Sequence, residues 1–141
     1  MNEGGTRKVR VIPCSGIGKV LGLMTREAAL GVTETLLPEC TETVCLALLV
    51  TGDPEAVRKV REGPCITVDG CPKMCAMKNV ERSGGTVALG VRAHDAVKRH
   101  RGGQFGTPTE LTADGWVVVD EMAAEIAERA RGLLSEEVSH G

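Results

Sequence analysis

The sequence predicts an α/β domain, a small three-layer fold with a mostly parallel sheet and helices on its faces. Short β-branched runs alternate with stretches of helical periodicity, the order in which parallel sheets are built from strand–helix–strand units. Helix punctuation separates them: in "GDPEAVRKVREG", Asp53 stands where an N-cap belongs, Pro54 takes the first helical position and Gly63 is a stop. Hydrophobic residues make up 42% of the chain, yet Phe105 and Trp116 are its only aromatics. The core must come from Val, Leu, Ile, Ala and Met, which suits packed layers better than an all-β sandwich. At 141 residues the chain matches one domain, assigned to 7–141 after a disordered tail at 1–6.

Taken in order, "RKVRVIP" (Arg7 to Pro13) is a β-branched strand that Pro13 ends. Ile17, Val20, Leu21, Met24 and Ala28 then recur at helical spacing, predicting a helix from Gly16 to about Leu30 with Ser15 as its N-cap. Residues 31–43, with Pro38 and several threonines, read mostly as loop with room for a short strand at Thr35 to Leu37. "VCLALLV" (Val44 to Val50) has no polar break and suits either a buried strand or a buried helical turn. After the helix behind Asp53 comes the strand "CITVD", Cys65 to Asp69, and a helix over 72–83 that stops before Gly84. "TVALGV" (Thr86 to Val91) is the next strand and Ala93 to His100 the next helix. A Gly-rich loop over 102–115 leads to a final helix at 119–134. Its buried face carries Val119, Met122, Ile126, Ala130 and Leu133.

Charge excludes some functions. With 17 basic and 19 acidic residues mixed along the chain, net charge is −2, and no basic footprint for nucleic acid stands out. "KRHRGG", Lys98 to Gly103, reads as a solvated helix end, with no interleaved aromatics to stack bases. The longest apolar run, Val44 to Val50, is too short to cross a bilayer, so no membrane partner is expected. The first residues lack the apolar segment of a signal peptide, and a cytoplasmic address is the expectation. Six cysteines in such a compartment point to metal binding or catalysis rather than to disulfides.

Those cysteines are the chemistry-bearing feature. If the strand turn ends at Gly70, Cys71 is an N-cap, Pro72 takes the first helical position, and Cys75 lies one turn on, on the same face. Two sulfurs so placed can share an ion, and a helix N-terminus favours the thiolate that ligates it. Cys14, in "VIPCSGIG", lies at another strand-to-helix junction, and such junctions of an open parallel sheet share one ligand-binding edge. Cys45 can add a fourth sulfur from the intervening crossover, completing a tetrahedral zinc set of Cys14, Cys45, Cys71 and Cys75. Cys65, inside a strand, reads as core filler. Cys40 reads as an exposed free thiol and as the substitute ligand if Cys45 points elsewhere.

Asp69, Gly70, Ser15 and Gly16 flank the sulfurs as supporting residues. Asp69 can accept backbone N–H groups of the turn, and the glycines let the backbone come close. "GIGKVLG" lacks both the dinucleotide-binding spacing and the Ser or Thr of a phosphate loop, although Lys19 could balance thiolate charge. His94, His100 and His140 share no ligand spacing with any cysteine.

"VDGCPKMCA", with upstream "CSGIG" and "CLA", resembles the DGC domain family, small proteins described as zinc-binding through four cysteines. The resemblance covers about residues 9–85 and implies the ligands Cys14, Cys71, Cys75 and, through "CLA", Cys45. Many members have a second cysteine in the first loop, where this chain has Ile17, so a spare ligand is missing.

The function expected is that of a small metal-binding protein holding one zinc ion at the βα-loop edge, in metal or thiol handling. The alternative is a sulfur or redox enzyme whose same cysteines hold an iron–sulfur cluster or act as persulfide or disulfide-exchange nucleophiles. A third reading has metal-braced loops presented to an unidentified protein partner. Catalytic residues and oligomeric state are left unassigned.

Overall fold

Four strands, all parallel, form one sheet in the order β2-β1-β3-β4. This computed structural model describes residues 8–14, 19–70 and 73–140, with side chains described as far as Ser135. The strands are β1 (Val9–Pro13), β2 (Thr41–Thr43), β3 (Pro64–Asp69) and β4 (Thr86–Arg92). The helices are α1 (Val20–Leu30), α2 (Leu46–Val50), α3 (Pro54–Glu62), α4 (Cys75–Arg82), α5 (Ala93–Lys98) and α6 (Ala113–His140). No described helix is long and apolar enough to cross a membrane.

Alternation along the strands sorts the core into two clusters, one on each face of the sheet. Val9 and Val11 of β1, with Ile66 and Val68 of β3, meet Met24 and Ala28 of α1 and Val118, Met122 and Ile126 of α6. Ile12 and Cys65 look the other way, onto Leu46 and Leu49 of α2, Ala56 and Val60 of α3 and Ala76 and Val80 of α4. The α/β class and layering expected from the sequence are therefore present, with the sheet wholly parallel.

Several elements differ from their expected places. α1 starts at Val20 rather than Gly16, and its N-cap is Lys19; Ser15 and Gly16 lie outside the described residues. The expected loop at 31–43 begins instead as a π-helical continuation of α1, Gly31–Leu36, where Val32 is fully buried and the Thr33 hydroxyl donates to the Ala29 carbonyl at 3.0 Å. The strand of this region is Thr41–Thr43, not Thr35 to Leu37. Edge pairing to β1 holds it: Val9 N–H donates to the Cys40 carbonyl at 3.0 Å, and Glu42 pairs with Arg10. "LALLV" resolves to helix, with Leu46 and Leu49 buried at i, i+3 and Leu48 and Val50 exposed.

α6 starts at Ala113, six residues earlier than expected. The Thr112 hydroxyl accepts the Gly115 N–H at 3.2 Å and caps it, and the Phe105 carbonyl occupies the space a side chain at Gly115 would need. Gly115, expected in a loop, is thus a helical glycine required for close approach. The Asp53 cap and Pro54 start of α3 stand as expected, with Ala56 N–H donating to Asp53 Oδ2 at 3.0 Å.

Candidate metal and thiol site

In strand order β2-β1-β3-β4 the chain reverses direction across the sheet between β1 and β3. Ligands of open parallel sheets bind at such a switch point, outside the carboxyl ends of the strands. Cys14 directly follows β1, Cys45 follows β2 by two residues, and Asp69-Gly70 close β3. Cys75 opens α4, the helix that follows β3. One edge thus receives every cysteine of the expected ligand set that the structure describes. Cys71, Pro72, Ser15 and Gly16 lie outside the described residues.

Cys14 is 6% exposed and packs in the same buried cluster as Val44, Leu46 and Ala76, the neighbours of Cys45 and Cys75 in the chain. Its sulfur reaches over the end of β3, where the Gly70 N–H donates to Sγ at 3.2 Å. On the α1 side the Thr25 hydroxyl lies 3.6 Å from the same sulfur. Cys45, just before α2, and Cys75, the first residue of α4, are exposed thiols, and the two helices touch each other. Lys19 is solvent-exposed.

Cys40 precedes β2 rather than following it and pairs beside Val9, at the amino edge. Cys14 lies five residues further along β1, which at ~3.3 Å per residue is about 16 Å along the strand. The sheet therefore sets Cys40 apart from Cys14.

Asp69 shows how the β3 loop is built, and its geometry corrects the expected cap. A helix starting at Pro72 under a Cys71 cap would set Cys71 and Cys75 one turn apart. α4 instead begins at Cys75, preceded by Met74 in the left-handed region at φ 55°. The cap comes from the strand: Asp69 Oδ1 accepts Ala76 N–H at 2.7 Å and Oδ2 accepts Met77 N–H at 3.2 Å. The carboxyl is 1% exposed. Burial pushes its pKa above the ordinary carboxylate value, against the pull of those two N–H groups and of Lys78.

Gly70 admits close approach. A Cβ there would lie 3.2 Å from the Leu21 carbonyl carbon and 3.3 Å from Gly22 N. Those atoms belong to the first turn of α1 and cannot swing aside, so Gly70→Ala is expected to cost about 1–3 kcal/mol by overpacking. Chemical denaturation measures it, and a loss under about 0.5 kcal/mol would show that the loop yields.

Cys65 is buried core, as its place in a strand suggested; burial pushes its thiol up to about 11. In metal-free native protein, iodoacetamide at neutral pH should modify Cys45 and Cys75 and spare Cys65 until the chain unfolds, as read by peptide mass mapping. Early labelling of Cys65 would contradict its burial.

Thr25 was missed by the sequence reading. It is fully buried on the apolar face of α1, beside Met24 and Ala28, and a hydroxyl on such a face was the available signal. His94 and His100 lie on or beside α5, and His100 pairs with Glu121 at 2.9 Å.

The donor chemistry, sulfur only and on neighbouring strand ends, suits a thiophilic ion such as zinc. Among the described residues no three His, Cys, Asp or Glu side chains stand close enough together to hold a metal. A family model described as DGC domain matches residues 10–130, running past the cysteine motifs into α6. No curated protein and no solved structure matches the chain.

Proposed function

The chain belongs to the DGC domain family, and on that footing we propose that it is a metal-binding protein that holds one zinc ion through Cys14, Cys45, Cys71 and Cys75. The main support is the shared edge: Cys14, Cys45 and Cys75 follow the carboxyl ends of β1, β2 and β3 around the switch point. Zinc bound there would cross-link loops that lie far apart in sequence and supply a closed centre with no open position for a hydrolytic water. Asp69 and Gly70 serve it by fixing the β3 loop, through the α4 cap and through the N–H bond to Cys14. The role is metal or thiol handling in the cytoplasm.

Elemental analysis of protein purified without added metal is the test. Wild type is expected to carry about one zinc per chain, and Cys71→Ser to lose it. Folded wild type without zinc, which also fails to take it up on titration, would refute the assignment.

The exposure of Cys45 and Cys75 favours a second reading, a sulfur or redox enzyme. The same thiolates would ligate an iron–sulfur cluster or carry persulfide. Anaerobically purified protein that is brown and rich in iron and sulfide would support the cluster form. Colourless zinc protein with every thiol inert to trapping would remove this reading.

A further inference from the structure

Cys14 after β1, Gly70 after β3, and Gly22 and Thr25 of α1 close a ring through the Cys14 sulfur. Gly70 N–H donates to Sγ at 3.2 Å, and Sγ lies 3.6 Å from the Thr25 hydroxyl. That hydroxyl donates to the Gly22 carbonyl at 2.7 Å, and a Cβ at Gly70 would lie only 3.2–3.3 Å from the Leu21 and Gly22 backbone. Cys14, Gly22, Thr25 and Gly70 are all buried. Nothing in the helix itself calls for a hydroxyl at position 25. A Gly22 carbonyl inside α1 already has the helical i→i+4 N–H as its partner, and valine would fill the same volume without a buried polar atom. The feature left to explain the hydroxyl is the sulfur.

We propose that Thr25 is a positioning residue for Cys14, holding the sulfur from the α1 side while the Gly70 N–H holds it from the β3 side. The hydroxyl suits both states of its neighbour. Its oxygen accepts from a thiol, and its proton can turn from the Gly22 carbonyl to a sulfur that has lost its own. A sulfur held between two such groups keeps one rotamer and one aim at the switch-point edge, as outer partners do for metal-ligating side chains. The inference rests on the zinc reading for its purpose, though not for its geometry.

The test compares wild type, Thr25→Val and Thr25→Ser in two measurements. Zinc affinity, by competition with a chromophoric chelator, is expected to fall about 10- to 100-fold in Thr25→Val and to recover in Thr25→Ser. In a metal-free Cys14→Ala background, Thr25→Val should no longer change hydrogen exchange at the Gly70 amide, an outcome that general loosening of α1 would not produce. In metal-free protein, hydrogen exchange at the Gly70 amide should quicken roughly two- to tenfold in Thr25→Val and not in Thr25→Ser, the range one hydrogen bond commands. Wild-type affinity in Thr25→Val, or unchanged Gly70 exchange, overturns the proposal. A wild type that binds no zinc while the Gly70 amide responds as expected overturns the metal reading and leaves the placement of Thr25 supported.

Discussion

Replacing Asp69 by alanine is expected to cost the fold about 2–4 kcal/mol, the sum of a lost helix cap and of buried N–H groups left without acceptors. Both carboxylate oxygens are engaged, with Ala76 N–H at 2.7 Å and Met77 N–H at 3.2 Å, the first bond fully buried and the second partly so. The loss should not stay in stability. α4 begins at Cys75, so freeing its first turn frees a sulfur of the proposed metal set, and zinc affinity should fall with it. Asp69→Asn separates the contributions: it keeps one acceptor oxygen and removes the buried charge, and should lose less than half as much. Urea denaturation of the three proteins decides. An alanine variant within about 0.5 kcal/mol of wild type would mean that the strand end does not hold the helix.

Arg10→Met should produce a loss of similar size on the same face of the sheet. The guanidinium, 9% exposed as a side chain, lies on β1 between Glu42 of β2 at 3.1 Å and Glu62 of α3 at 3.2 Å, and also donates to the Lys59 carbonyl at 3.0 Å. Lys59 closes the network on Glu42 at 2.7 Å. Breaking a fully buried pair costs about 3–5 kcal/mol. The two carboxylates here are partly in water, which screens them and lowers the expected cost to about 2–3 kcal/mol. Methionine keeps the apolar stem packed, so the loss reports the charge.

The same network dictates a pH dependence. Lys59 foremost, with Arg10 behind it, holds the Glu42 carboxyl below its ordinary value despite the opposing effect of burial; Arg10 does the same for Glu62. A carboxyl with a depressed folded pKa contributes stability above its unfolded pKa, about 4.3 for Glu, and loses that contribution as pH falls through the folded value. Wild type should therefore lose stability below about pH 4 more steeply than Glu42→Gln, as thermal melts from pH 7 to pH 3 would show. Parallel curves would mean that the ion pairs contribute nothing net.

The parts of the fold legible in the chain are those decided within a few neighbouring residues. Asp53-Pro54 and Gly63 delimit α3 by local capping chemistry, and the buried runs of β1, β3 and the inner face of α6 announce themselves by apolar spacing. So do the thiols, because cysteine at strand-to-helix junctions carries its chemistry in its identity. The misplaced elements answer to distant partners. "TET" is a strand because β1 offers it an edge and Arg10 offers Glu42 a charge. The polar "GVTETL" stays helical because Val32 finds a buried place in the core that α6 helps to build.

Sequence alone thus determined the α/β class and the seating of Cys14 and Cys45 at strand ends and of Cys75 at the start of a helix, since residue type and short-range periodicity suffice for each. Tertiary structure decided which strand lies beside which, and that order brings the ends of β1 and β3 together and leaves Cys40 at the far edge. It also decided that α4 begins at Cys75 under a cap from Asp69, and that Thr25 and Gly70 flank the Cys14 sulfur. The physical reason is that a hydrogen bond or a packed contact depends on separation in space, and a parallel sheet joins residues that the chain keeps dozens of positions apart.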